Sequence, residues 1–141
     1  RMPDNPAMIE MFGRYLTILA QREGASLVHC YAGKDRTGVA ATMLLHILGV
    51  AEEDQRREFL RTNDSPTFDV LARQSLPGIE KRLGRKLDES AAKDLLGVRE
   101  EYLDRYLDIA TERHGSFDGY LEQAIGVDDA LRDALIARFV A

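Results

Sequence analysis

The chain holds one cysteine, Cys30, no tryptophan and only three histidines in 141 residues. A single thiol excludes an intramolecular disulfide and any cysteine-rich zinc site. It also excludes a resolving thiol within the chain, so oxidation of Cys30 must be relieved from outside. No carboxylate–histidine cluster of the usual metal-binding kind is present, and neither a metal nor another cofactor is expected. Long apolar runs are missing too: residues 39–50 are interrupted by Thr42, His46 and Gly49, which leaves no integral membrane segment. There is no signal-peptide pattern. The chain starts at Arg1, an unnatural start, so an upstream targeting segment is not excluded, and the compartment, cytoplasmic or secreted, stays open. Positive charge is in deficit, with 19 Lys and Arg against 24 Asp and Glu and a net charge of −5. The basic residues lack interleaved aromatics, which argues against nucleic acid as a partner.

What is present is concentrated in ten residues, His29-Cys30-Tyr31-Ala32-Gly33-Lys34-Asp35-Arg36-Thr37-Gly38. They join an apolar strand-like run, residues 25–28, to an apolar helix-like run, residues 39–48. Such a junction gathers backbone N–H groups at a helix N-terminus, a cradle that suits phosphate. Cys30 supplies a sulfur nucleophile at its base, and Arg36, after five intervening residues, a planar fork for two phosphate oxygens. A lone cysteine is most often a small buried hydrophobe. Here His29, Lys34, Arg36 and the helix N-terminus all favour thiolate over thiol. A nucleotide-binding loop is the rival reading, but Asp35 follows Gly33-Lys34 where Ser or Thr is needed, and Val28 stands where the first glycine belongs.

The segment resembles the His-Cys-x5-Arg-Ser/Thr signature of cysteine-dependent tyrosine phosphatases. Its fuller form is similar to that of the bacterial and fungal tyrosine phosphatases of the mycobacterial protein-tyrosine-phosphatase-B type. Phe59-Leu60-Arg61-Thr62-Asn63-Asp64-Ser65, Leu96-Gly97-Val98-Arg99-Glu100-Glu101-Tyr102-Leu103 and Gly115-Ser116-Phe117-Asp118-Gly119-Tyr120-Leu121 resemble further signatures of that family. The resemblance implies an α/β fold with a mostly parallel sheet flanked by helices. Only one convincing strand, residues 25–28, is present, and a single strand satisfies neither its own backbone nor a sheet. Upstream strands are therefore expected in a missing or separate piece, with residues 1–141 the C-terminal part of one phosphatase domain. The resemblance also implies a helical lid, residues 67–96, over a phosphate loop, residues 29–38. Phe68, Leu71, Leu76 and Ile79 would shield the thiolate. Arg73, Lys81, Arg82, Arg85 and Lys86 against Glu80 give residues 73–86 a local balance of +4, which would draw anionic substrates.

The chemistry that follows is hydrolysis of a phosphate monoester through a phosphocysteine, with Cys30 attacking phosphorus. Arg36 and the N–H groups of Tyr31, Ala32, Gly33, Lys34, Asp35 and Arg36 would hold the phosphate oxygens. Thr37 would donate to sulfur in the second step or cap the helix, and His29 orients the loop. The resemblance makes Asp35 the candidate acid for the leaving oxygen, with Asp4 or an upstream aspartate as the alternative. It also links Lys34 to phosphoinositides. Partners are thus a phosphorylated protein, on tyrosine and also on serine or threonine, or a phosphoinositide. Two rivals stand beside this: a phosphate-binding module without turnover, and another Cys-x5-Arg chemistry such as arsenate reduction, which commonly needs the further thiols missing here. His46 and His114 read as structural.

Elsewhere the pattern is helical. Asn5-Pro6 starts a helix that Gly24 stops, a second runs from Arg36 to Leu48, and Glu52-Glu53-Asp54 open a third that reaches Asn63. Pro77-Gly78 is expected to break the next helix. Asp88, Ser116 and Asp128 read as caps, and a strong helix passes through Tyr102, Tyr106 and Ala110 to Gly115.

Overall fold

The computed structural model describes residues 1–140, apart from the side chains of Phe68, Asp69, Ala72 and Glu89. Eight helices are described: α1 (Pro6–Gln21), α2 (Asp35–Ile47), α3 (Glu52–Leu60), α4 (Phe68–Leu83), α5 (Glu89–Leu96), α6 (Glu100–His114), α7 (Phe117–Tyr120) and α8 (Asp129–Phe139). Short 3-10 turns lie at Met2–Asp4 and Arg61–Asp64, and α7 runs on into a π turn, Leu121–Ile125.

Local capping explains most boundaries. The Asn5 side chain accepts from the N–H groups of Ala7 and Met8 at 3.0 and 3.2 Å, with Pro6 in the first turn of α1. Asp88, Ser116 and Asp128 accept from Ala91, Gly119 and Leu131 at 2.8, 2.9 and 2.8 Å. Each cap supplies an acceptor to N–H groups that the helix itself leaves bare.

Helical periodicity then puts one apolar face per helix into a common core. Phe12, Leu16 and Leu19 of α1 meet Val39, Ala40, Met43 and Ile47 of α2, Tyr106 and Ala110 of α6, and Tyr120, Leu121, Ile125 and Leu135 beyond. Two polar bonds brace it. The Tyr106 and Tyr120 hydroxyls lie 2.8 Å apart, and Tyr120 donates onward to the Pro3 carbonyl at 3.3 Å. Arg138 of α8 donates to the carbonyls of Leu19 and Gly24, closing α8 over the exit of α1. A smaller cluster of Phe59, Val98 and Leu103 joins α3 to the start of α6.

Two expectations are corrected. Residues 25–28 do not form a strand: among the described residues no β-ladder exists, and Leu27 is 89% exposed. An extended segment needs a partner backbone in register, and none is placed beside it. Pro77 does not break α4, which continues through it to a left-handed Gly84. Proline forfeits one i→i−4 bond, and Arg73, whose carbonyl would have accepted it, is exposed to solvent. No helix of the described residues is long and apolar enough to cross a membrane.

Candidate active site

Residues 31–34 turn between the extended segment and α2, with Gly33 at φ +67°, a left-handed conformation that favours glycine. The step into the helix is made at Lys34 (φ −117°, ψ −82°). Core packing of Val39, Ala40 and Met43 fixes the first turns of α2, and so fixes where its free N–H groups point.

Those groups converge on the Cys30 sulfur. Burial of Cys30 opposes its charged form. The Thr37 hydroxyl and the N–H groups of Thr37, Gly33 and Lys34 outweigh that and lower the thiol from its ordinary 9.0 to about 6. A hydrogen bond to the thiolate is worth more than one to the thiol, which is why donors move the equilibrium. Thr37 Oγ1 is buried and makes no hydrogen bond of ordinary geometry. Its nearness to the sulfur still favours the charged form.

The remaining residues of the loop divide. Arg36 lines the same cavity as Cys30 and Thr37. Among the described residues its guanidinium has no ion pair or hydrogen bond. Lys34 is the opposite: its ammonium donates to the carbonyls of Leu95 and Gly97, both at 2.8 Å, and lies 3.7 Å from Asp35 Oδ2. The Asp35 carboxylate is half-exposed at the head of α2. His29 Nδ1 lies 3.2 Å from the Cys30 carbonyl, so the ring steadies the peptide that follows the thiol. Tyr31 projects into solvent, 98% exposed, and Ala32 is exposed beside it.

The alternative acid is elsewhere. Asp4 pairs with Arg113 of α6 at 3.1 Å and does not line the Cys30 cavity. His46 faces Asp118 at 3.3 Å and the edge of Phe117, while His114 meets Gln123 at 3.2 Å; both brace α7. The cavity itself is about 1250 Å³ and is walled by α1, residues 24–30, α2, α3 and α8. No described residue of α4 or α5 lines it. Leu71 is exposed, Leu76 and Ile79 are half-buried, and the Phe68 side chain lies outside the described residues.

Two features of the site were not expected from sequence. Arg57 and Arg61 of α3 and its adjoining turn share the cavity with Cys30, though each is paired to a carboxylate of its own helix. The Lys34 contacts to the end of α5 were also unforeseen. Gly97 stood in a quoted motif, but nothing in the linear sequence links it to Lys34.

The family model of the tyrosine phosphatase family matches residues 1–141. The chain belongs to that family. Among curated members of the tyrosine phosphatase family, a putative tyrosine-protein phosphatase of Cupriavidus necator is 38% identical over 112 residues, covering 79% of this chain and 39% of the relative. The triple specificity protein phosphatase PtpB of Mycobacterium tuberculosis is 32% identical over 129 residues, 83% of this chain and 44% of that protein. A tyrosine-protein phosphatase of Nostoc commune is 47% identical over 49 residues, 35% of this chain and 16% of the relative. The chain thus matches about two-fifths of the length of the first two tyrosine phosphatase relatives.

A thiolate held by these donors predicts early reactivity. Alkylation of Cys30 by iodoacetamide should rise with pH through a midpoint near 6. Thr37→Ala, which removes one donor, should move that midpoint upwards. An unchanged midpoint would show that the hydroxyl contributes nothing to the charged sulfur.

Proposed function

We propose that this chain is the C-terminal part of a cysteine-dependent phosphatase that hydrolyses phosphate monoesters through a phosphocysteine. Phosphotyrosine is the substrate class favoured by the family, with phosphoserine, phosphothreonine and phosphoinositides as further candidates. The observation that carries the reading is a thiolate-favouring Cys30 in one cavity with an Arg36 whose charge has no protein partner among the described residues.

In the first step the Cys30 thiolate attacks phosphorus while the ester P–O bond breaks, and Asp35 gives its proton to the leaving oxygen. Arg36 and the loop N–H groups hold the non-bridging oxygens, whose charge shifts as the transition state forms. In the second step water attacks phosphorus, its proton returns to Asp35, and the P–S bond breaks to regenerate the thiolate. Thr37 favours that departure by offering its hydroxyl to the sulfur as charge returns to it. His29 keeps the Cys30 peptide oriented.

The α/β sheet belongs to this proposal as well. The groove beside residues 25–28 exposes Met11, Ile18, Leu27 and Val28, an apolar surface with a bare backbone at its rim. We take it as the seat of the family's upstream strands. Amide exchange at residues 25–28 should then be much slower in the protein carrying those strands than in this chain alone. Equal exchange in both would remove the sheet from the proposal.

The helical segment 67–96 is proposed as a lid. Its support is the tether of Lys34 to the end of α5 and the +4 balance of residues 73–86. Replacing residues 67–87 by a flexible linker, which spares Leu95 and Gly97, should speed inactivation of Cys30 by peroxide. An unaltered rate would end the lid.

Turnover itself is tested with the protein that contains this chain. Cys30→Ser should abolish hydrolysis yet still bind vanadate, and Arg36→Lys should be severely impaired, since an ammonium cannot reproduce the bidentate fork. Asp35→Asn should slow alkyl phosphates far more than activated aryl phosphates, which need little protonation. Full activity in Cys30→Ser would overturn the covalent route, and binding without turnover in the unsubstituted protein would favour a phosphate-binding module. Equal losses with both leaving groups would make Asp35 a structural residue of the loop.

A further inference from the structure

Three segments distant in sequence meet at the junction of α5 and α6. From the loop, the Lys34 ammonium reaches the carbonyls of Leu95 and Gly97. From the turn after α3, the Asn63 side chain clamps Val98 on both sides. Its nitrogen donates to the Val98 carbonyl and its oxygen accepts the Val98 N–H, each at 2.9 Å. Between them lies buried Gly97, where a Cβ would stand 2.6 Å from Asn63 Oδ1 and 2.8 Å from the Lys93 carbonyl oxygen.

We propose that Asn63 is a positioning residue for the Cys30 loop, acting through the Gly97 carbonyl and the Lys34 side chain. Lys34 is used at both ends. Its ammonium sits on two carbonyls at the C-terminus of α5, where the helix leaves acceptors free and the dipole is negative. Its backbone N–H is one of the donors aimed at Cys30. The loop therefore cannot swing away from the sulfur without giving up two charge-assisted hydrogen bonds. The second of them, to Gly97, holds only while the 97–98 peptide keeps its orientation, and Val98, 4% exposed, has its N–H and C=O fixed by Asn63. Lose the clamp and two buried polar groups seek other partners, turning the Gly97 carbonyl away from Lys34.

The proposal rests on reading residues 29–38 as the nucleophile's loop, but its test does not need turnover. Cys30 is the only thiol, so the pH dependence of iodoacetamide alkylation of the whole chain reads its thiolate alone. The charged or titratable neighbours that Asn63→Ala leaves in place are His29, Lys34, Asp35 and Arg36 in the loop and, around the cavity, Glu10, Arg14 and Arg22 at α1, Asp54, Arg57, Glu58 and Arg61 by α3, and Arg138 of α8. The substitution itself removes no charge.

Asn63→Ala should raise the alkylation midpoint by about half a unit to one unit, because one donor is loosened rather than removed. In a Lys34→Met background the same substitution should add nothing, as two changes on one chain of contacts are not additive. Gly97→Ala, which displaces the junction without deleting a polar group, should shift the midpoint the same way and serves if Asn63→Ala does not fold. Tyr106→Phe, which breaks the buried hydroxyl pair with Tyr120 and touches none of the contacts among Lys34, Gly97, Val98 and Asn63, should lower thermal stability and leave the midpoint alone. The proposal falls if Asn63→Ala and Gly97→Ala both leave the midpoint unchanged, or if the Asn63→Ala shift persists undiminished without Lys34. An unsubstituted chain that titrates as an ordinary thiol would overturn the loop reading and this proposal with it.

Discussion

The first turn of α2 has to satisfy two demands that pull against each other. Its apolar side chains, Val39, Ala40 and Met43, must be buried for the core to close, while the N–H groups at its head must stay free of any carbonyl so that they can face the Cys30 sulfur. A helix meets both because its side chains leave radially and its unsatisfied donors leave axially. The rest of the domain serves that geometry: α1 and α8 press the helix from one side, and α3 and α6 meet beyond it through Phe59 and Leu103.

Charge is arranged on the same principle. The excess acid of the chain is spread over outer helix faces, where Arg56 bridges Glu52, Glu100 and Asp104 at 3.1–3.6 Å and Arg99 bridges Asp94 and Glu101 at 3.2–3.3 Å. Exposed pairs of this kind contribute little to stability. Their effect is to consume the cations of those faces. Arg36 is left out of such pairing among the described residues, so a net charge of −5 coexists with an unspent guanidinium in the cavity of Cys30. Lys34, two residues away, is engaged with carbonyls and carboxylate, which separates the two cations of the loop into one available to an anion and one holding the backbone.

What the sequence disclosed and what it concealed follow from range. Caps at Asn5, Asp88, Ser116 and Asp128 act within three residues, so they were legible, and so was Cys30 beside Arg36, whose relation is set by one short loop. The strand expected at residues 25–28 was not realised, since alternation and β-propensity describe a surface that still requires a partner. Pro77 misled because its cost depends on exposure, which a linear pattern does not carry. The contacts of Lys34 with Leu95 and Gly97, and of Asn63 with Val98, span 61, 63 and 35 residues. Their residue types were visible in separate motifs, but only packing reveals that the motifs are one structure.

The bare segment ahead of Cys30 has a further consequence for the chain as a material. Leu27 and its neighbours offer an unpaired row of peptide groups beside an apolar wall, and such an edge is a template for any other extended backbone. Two copies meeting there would satisfy each other's amides through backbone pairing alone. Without the strands proposed to sit there, self-association would begin at the doorstep of Cys30; with them in place, the same edge is already closed.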